Sequence, residues 1–351
     1  MINYLYTGGG FEVGQRFLVS DCEGPLSLND NAFELAGHFI PQGEEFFQIV
    51  SRYDDVLVEM GRPGYNAGNT LKLIAPFLKA YGASNQNVET FCQENVLLVP
   101  GAQKTLTFFL ELLPSFIVST SYQQYLEALC KVTGFPLENC YYTPLDLEKQ
   151  EISHDEKDQM RKLKKSAVEN PGFENLERIF WEKLPQMKIS SLMDDIKPVG
   201  GAAKKEAVED IMSRFGYRAS DLIYIGDSIT DVEPLRFAKD EGGLAVSFNG
   251  NDYALDEAMV AVISSNTLIL SLLADLFKRE GPEEVLEFAD SYAAEPEAAL
   301  KKQCVKSELV AKLPSTHTFL EVVTSKNRDR LKAESGKFRR YMRGESIGGL
   351  G

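Results

Sequence analysis

The sequence has few of the residues that build disulfide or zinc sites. It contains five cysteines and three histidines in 351 residues. The cysteines form no CxxC pair, and the histidines lie far apart along the chain. An odd number of scattered cysteines argues against a disulfide scaffold, and dispersed histidines argue against structural zinc. This composition fits a reducing compartment, and we expect the protein in the cytoplasm.

Basic residues and long apolar runs are also scarce. The chain has 37 Lys and Arg against 52 Asp and Glu, a formal net charge of −15. Nucleic acids and anionic membranes both reward a basic surface, so neither is expected as a main partner. The N-terminus lacks the basic start and apolar run of a signal peptide, and polar residues at 264–267 interrupt the most membrane-like stretch. We therefore expect a soluble protein.

Short apolar runs, most of them followed by helical periodicity, are the main structural signal in the sequence. They occur at residues 17–20, 116–119, 222–225, 244–248 and 260–263. Such runs predict buried parallel strands with helices on both faces, which is an α/β, Rossmann-like sheet. Ligands of these sheets bind beyond the carboxyl ends of the strands, so the residues that follow each run are the candidates for chemistry.

Two stretches between these runs show helical periodicity without a strand signal. We expect a core formed by residues 1–27 and 96–280, with an inserted helical domain at 28–95. A second helical insertion is expected at 149–196, and a helical extension with a frayed tail at 281–351.

Paired acids follow two of the predicted strands. Asp21 and Glu23 come after the first, where Gly24 permits a sharp turn. A carboxylate there can attack phosphorus if a cation offsets the repulsion between anions, although solvated acids in a turn would look the same. Asp227 and Asp231 follow residues 222–226, and their spacing suits a hard cation such as Mg²⁺. For Asp231, complementing a helix N-terminus is the competing explanation.

A serine and a lysine complete the candidate residues. Ser119 ends the second run, where it can bind a phosphoryl oxygen or cap a helix. Lys204 lies on the apolar face of its predicted helix, together with residues 208, 211 and 215, whereas Lys205 leans toward Glu209 and solvent. Lys204 can therefore neutralise a phosphate at the sheet edge, or simply extend its ammonium to solvent from a helix end.

The order of these residues resembles the four motifs of the haloacid dehalogenase (HAD) superfamily. The acids after the first strand, Ser119, Lys204 and the stretch Gly226-Asp227-Ser-Ile-Thr-Asp231 follow that order, over about half of the chain. The helical insertion after the first motif resembles the cap of phosphoserine-phosphatase-like members. Asp21-Cys-Glu-Gly-Pro is also similar to archaeal proteins labelled energy-converting hydrogenase A subunit R.

The resemblance implies a Mg²⁺-dependent phosphatase of small phosphorylated metabolites. Asp21 would form an aspartyl-phosphate, and Ser119 and Lys204 would hold the phosphoryl oxygens. Mg²⁺ would be bound by the Asp21 side chain, the Glu23 backbone carbonyl and Asp227, with Asp231 nearby. Glu23 stands where these phosphatases usually carry an aspartate as general acid and base, and its side chain is one methylene longer.

Two other functions stay open at this point. A phosphotransferase would use the same nucleophile but pass the phosphoryl group to an acceptor other than water. A non-catalytic subunit of a larger complex would keep the fold without turnover, with Glu23 marking loss of the usual acid. The presence of Asp21, Ser119, Lys204, Asp227 and Asp231 instead favours an enzyme. Arg62, in the helical insertion, could pair with a second anionic group of a substrate, but a surface position explains it more simply.

Overall fold

A seven-stranded sheet forms the centre of the molecule, in the order β3-β2-β1-β4-β5-β6-β7. The computed structural model describes residues 15–302 and 318–350, so Cys304 and the first residues of the expected core lie outside it. The strands are β1 Phe17–Ser20, β2 Ser115–Tyr122, β3 Cys140–Thr143, β4 Leu222–Gly226, β5 Leu244–Phe248, β6 Val260–Ser264 and β7 Thr318–Val322.

The sheet is parallel except for β7, which pairs antiparallel with β6. This confirms the predicted α/β fold, and each of the five apolar runs is a strand. The chain order reverses beside β1, which pairs with β2 on one side and with β4 on the other. Such a switch point leaves a crevice at the carboxyl ends of the two central strands. The sequence prediction missed β3 and β7.

Alternate residues of the central strands pack into different cores. Phe17 and Val19 face one core, which α10 and α11 cover, and Leu18 faces the other, which α5, α13 and α14 cover. Because both faces are buried, these strands are largely apolar instead of alternating with charged residues.

The helices surround the sheet and fill the long connections. They are α1 Asn31–Phe39, α2 Gly43–Glu59, α3 Thr70–Ala80, α4 Asn85–Glu94, α5 Ala102–Leu112, α6 Gln123–Thr133, α7 His154–Glu169, α8 Phe173–Glu177, α9 Ser191–Asp195, α10 Ala202–Phe215, α11 Val232–Asp240, α12 Asp252–Glu257, α13 Leu268–Glu280, α14 Pro282–Ala294, α15 Pro296–Lys302 and α16 Arg328–Gly348. Within the described residues, no helix is both long and apolar enough to cross a membrane.

Helices α1 to α4, residues 31–94, form a helical segment between β1 and β2. It packs against the second helical stretch, where Phe180 lies 6.1 Å from Phe77 and 5.7 Å from Tyr53 between ring centroids. These aromatic contacts join two regions that are more than a hundred residues apart in the chain.

The end of the chain differs from the sequence expectation. The stretch expected to fray belongs to α16, which continues to Gly348 with a break in helical geometry at Gly344. Ser335 donates to the carbonyl oxygen of Gly250 at 2.6 Å, and Leu331 is buried against Leu255. Tertiary contacts therefore fix a helix whose polar sequence gives little sign of burial.

The crossing of α1 and α2 gives a first testable prediction. A methyl group at buried Gly43 would overlap the carbonyl oxygen of Ala36. We expect Gly43→Ala to destabilise the protein by about 1–3 kcal/mol, the usual range for overpacking. In the matched control, Gly37→Ala, the nearest atom is Cγ of the flexible Glu44 side chain at 3.0 Å. Urea unfolding midpoints check this, and equal midpoints for the two variants would contradict it.

Candidate functional site

Asp21 lies directly after β1, at the switch point of the sheet. Its backbone N–H donates to the carbonyl oxygen of Ile225 at 2.8 Å, which extends the β1–β4 pairing by one residue. The following turn closes with Gly24 N–H bonded to Ser27, and Gly24 has a φ of +110°. A side chain at Gly24 would also overlap the carboxylate of Asp227. Glycine therefore lets the two acidic loops approach each other.

Lys204 is a buried cation that pairs with two acids of the site. Its ammonium lies 2.8 Å from Asp21 Oδ2 and 2.8 Å from Asp231 Oδ1, and its side chain is fully buried. Lys205 instead pairs with Glu209 at 2.9 Å on the helix surface. The helical spacing predicted this difference, because Lys204 belongs to the face of α10 that packs on the sheet.

Asp231 accepts five hydrogen bonds or ion pairs, one of them from the Ser228 hydroxyl at 3.4 Å. Oδ1 accepts from Lys204 and from the Tyr224 hydroxyl at 2.8 Å, and Oδ2 accepts from the backbone N–H groups of Asp227 and Ser228. Both of its oxygens are therefore engaged. Asp231 positions Lys204 and fixes the turn after β4.

Asp227 presents a different environment. Its Oδ1 is buried without a hydrogen-bond partner, and its Oδ2 pairs with Arg339 and, at 3.5 Å, with Arg343. Asp21, Asp227 and Asp231, called here the carboxylate cluster, each offer an oxygen within 4.8 Å of the others. Three converging carboxylates, one with an unused buried oxygen, fit a hard divalent cation such as Mg²⁺.

Ser119 and Glu23 lie beside the carboxylate cluster. Ser119 is inside β2 and not at its end, since the strand continues to Tyr122; its hydroxyl lies 3.1 Å from that of Ser121. Glu23 Oε1 accepts from the backbone N–H of Asn31 at 2.7 Å, at the start of α1. The extra methylene of Glu23 thus lets its carboxylate reach this helix N-terminus, a favourable place for negative charge.

These residues surround one cavity of about 100 Å³. Asp21, Glu23, Ser119 and Asp227 line it, whereas Lys204 and Asp231 lie behind Asp21 and Asp227. The helical segment contributes another part of its wall, with residues Ala32, Phe47, Ser51, Asp54, Asp55, Gly68, Thr70 and Leu71. Residues spread over about 200 positions of sequence therefore converge on one space.

Burial and neighbouring charges perturb the pKa values of the acids. Burial raises the pKa of Asp21 to about 8, although Lys204 acts in the opposite direction. Burial also raises the pKa of Glu23 well above its usual range, and the charge of Asp30 adds to this, against the Asn31 N–H and Arg343. For Asp231, Lys204 outweighs the effect of burial and lowers the pKa. A protonated Glu23 is thus available beside the cavity.

Two arginines of α16 line the same cavity, and sequence reasoning missed both. Arg339 and Arg343 are one helical turn apart, in register with buried Leu331 and Ser335. This spacing of four is visible in the sequence. It is easily overlooked because the face it defines is only partly apolar.

Arg62 lies elsewhere. It pairs with Glu177 at 2.6 Å and lies over the ring of Trp181, where it joins the two helical regions. It is absent from the residues that line the cavity in the described part of the chain. The structure thus gives Arg62 a partner within the protein.

Replacing Lys204 tests the centre of the site. We expect Lys204→Met to destabilise the metal-free protein by about 3–5 kcal/mol, because it leaves buried carboxylates without their cation. The matched control Lys205→Met removes a half-exposed ion pair and should cost no more than about 1 kcal/mol. Denaturant unfolding in a chelating buffer measures both, and similar losses would show that Lys204 carries no special electrostatic role.

Solved structures of other proteins resemble this chain to different degrees. No protein-family model matches the sequence, and no curated protein matches it significantly. A HAD family hydrolase from Salmonella enterica serovar Typhi aligns at 11% identity and a TM-score of 0.45, over 75% of this chain and 72% of that chain. A probable phosphoserine phosphatase from Vibrio cholerae aligns at 12% identity and 0.43, over 75% and 66%. Similarity this low does not indicate a shared function.

A much stronger similarity is to gene product AF1437 from Archaeoglobus fulgidus. The two structures align with a TM-score of 0.80 and 27% sequence identity, over 96% of this chain and 99% of that chain. This chain and that archaeal protein share one fold over nearly their whole length.

Proposed function

We propose that this protein is a Mg²⁺-dependent phosphohydrolase of the HAD type, with Asp21 as nucleophile. The observation that carries the proposal is the position of Asp21. It lies at the switch point of a parallel sheet, held by Lys204, with Asp227 and Glu23 beside it on one cavity. The order of the four sequence motifs supports the same reaction.

The reaction needs an ionised Asp21 close to an anionic phosphoryl group. The carboxylate of Asp21 and the free oxygen of Asp227 would hold Mg²⁺, together with the backbone carbonyl of Glu23. Bound there, the cation would offset the repulsion between Asp21 and the phosphoryl oxygens. Asp231, with both oxygens engaged, supports this arrangement through Lys204.

Glu23 acts as the general acid in the first step of the proposed reaction and as the general base in the second. An oxygen of Asp21 attacks phosphorus, the bond between phosphorus and the leaving oxygen breaks, and Glu23 gives its proton to that oxygen. In the second step, Glu23 takes a proton from water, whose oxygen attacks phosphorus and breaks the bond to Asp21. Burial raises the pKa of Glu23, which favours its protonated form for the first step. Ser119 donates to the phosphoryl group from the wall of the cavity.

The helical segment acts as the cap in this proposal. It supplies one wall of a cavity that is small for anything beyond a phosphoryl group and a compact leaving group. A small phosphorylated metabolite is therefore the expected substrate class. The same arrangement would serve a phosphotransferase if an acceptor other than water reached Asp21.

Asp21→Asn tests the nucleophile. We expect the variant to lose Mg²⁺-dependent phosphate release from a panel of phosphorylated metabolites, because an amide does not form the covalent intermediate. Asp252→Asn, at an exposed position in α12, is the control for loss of one carboxylate. Circular dichroism checks that the fold is kept. Undiminished phosphate release by a folded Asp21→Asn would overturn the proposal.

Glu23→Gln tests the general acid and base. Alkyl phosphates leave as basic alkoxides and need a proton, whereas aryl phosphates leave as stable anions. We expect the variant to slow alkyl esters by about 10²- to 10⁴-fold and to spare the first turnover of aryl esters. A burst of aryl alcohol followed by a slow steady rate is then expected, because hydrolysis of the intermediate lacks its base.

The control for this experiment is Glu34→Gln, a nearby acid that pairs with Asn29 and does not line the cavity. Equal losses on both classes of ester without a burst would mean that Glu23 only positions the turn. A burst in the wild-type protein would favour the phosphotransferase.

A further inference from the structure

The last helix places cations against Asp227, outside the four sequence motifs. Arg339 Nη1 donates to the Asp227 carboxylate and, at 3.3 Å, to its backbone carbonyl oxygen. Arg343 Nη1 lies 3.5 Å from the same carboxylate oxygen. The Arg339 and Asp227 side chains are only 4% and 1% exposed. A guanidinium group therefore occupies one side of the carboxylate that the proposed function assigns to Mg²⁺.

The two arginines are held differently. Arg343 donates from Nε to the carbonyl oxygen of Leu28 at 3.1 Å and from Nη2 to that of Asn29, which fixes it to the loop before α1. Arg339 has Asp227 as its acceptor, and its buried Nε has no hydrogen-bond partner. An unsatisfied buried donor on the cavity wall is unusual, and it is free to bond to a ligand in the cavity.

The cations at the site depend on nearby acids. The carboxylate cluster faces three cationic side chains, Lys204, Arg339 and Arg343, and Glu23 and Asp30 lie on the same cavity. A dication bound by Asp227 would compete with the buried Arg339 guanidinium for that carboxylate, and a buried charge without its partner is costly. A phosphate anion that arrives with the dication would give Arg339 a new partner.

We propose that Arg339 is an internal counter-cation that couples Mg²⁺ binding to phosphate binding. Without metal it neutralises Asp227. When the Asp227 carboxylate binds Mg²⁺ instead, the Arg339 guanidinium would turn to an oxygen of the phosphoryl group in the same cavity. Metal and phosphate then bind cooperatively, and each is weak alone. The proposal rests on the proposed function, because it uses the same carboxylates and the same cavity.

Calorimetric titration of Mg²⁺ into the full chain, with and without inorganic phosphate, tests the coupling. For the wild type, we expect phosphate to tighten Mg²⁺ binding by about 5- to 150-fold, the usual range of coupling between two sites. By linkage, Mg²⁺ must tighten phosphate binding by the same factor. Arg339→Gln should bind Mg²⁺ alone more tightly than the wild type, because only the more distant Arg343, at 3.5 Å, then competes for Asp227, and it should lose most of the coupling.

Arg340→Gln is the matched control. Arg340 is the next residue of the same helix, is exposed, and pairs with Glu345 at 3.7 Å, away from the carboxylate cluster. It should titrate like the wild type. Arg339→Lys keeps a positive charge but lacks the forked guanidinium, so we expect intermediate Mg²⁺ affinity and reduced coupling.

Thermal unfolding gives a second readout that does not depend on turnover. Arg339→Gln removes the nearer of the two cations that pair with buried Asp227, so the metal-free variant should melt below the wild type. Added Mg²⁺ should then raise its melting temperature by more than it raises that of the wild type. If Arg339→Gln does not fold without metal, Arg339→Lys provides the same comparison.

The outcomes separate this proposal from the proposed function. Equal Mg²⁺ affinity and equal phosphate coupling in the wild type and both Arg339 variants would overturn the role of Arg339, even if phosphatase activity is found. Absence of Mg²⁺ binding in every variant would overturn both. Tighter Mg²⁺ binding with lost coupling in Arg339→Gln would support the role of Arg339 whatever the metabolite panel shows.

Discussion

The pairing of Lys204 with Asp21 and Asp231 is the interaction on which the rest of the site depends. It joins three parts of the chain, namely the end of β1, the start of α10 and the turn after β4. A fully buried ammonium is stable only with such partners, and the two carboxylates are tolerated in the interior only with such a cation. The pairing therefore fixes Asp21 at the switch point of the sheet.

Three regions of the molecule line the cavity beside this pairing. The sheet provides the acids, the helical segment provides another part of the wall, and α16 provides two guanidinium groups. Arg339 and Arg343 both pair with Asp227. In the proposed mechanism, the charges that neutralise the site before substrate arrives are rearranged when it binds, which links the stability of the protein to its proposed chemistry.

Much of the fold was predictable because its signals are local. The five apolar runs predicted the five inner strands, since a strand covered on both faces is largely apolar. The edge strands β3 and β7 were missed because they are only partly buried and carry polar residues, for example Glu321. Helical periodicity likewise identified α2, α3 and α10, including the inward face that carries Lys204.

The sequence by itself determined the residues that meet at the carboxyl edge of the sheet, because strand ends and helix faces are set by short-range periodicity. Only the tertiary structure decided how they are used. It attached the longer Glu23 to the N-terminus of α1 and left one oxygen of Asp227 without a partner. It also brought Arg339 into the site across 112 residues of sequence, a contact that depends on how α16 packs on the core and that no local pattern encodes.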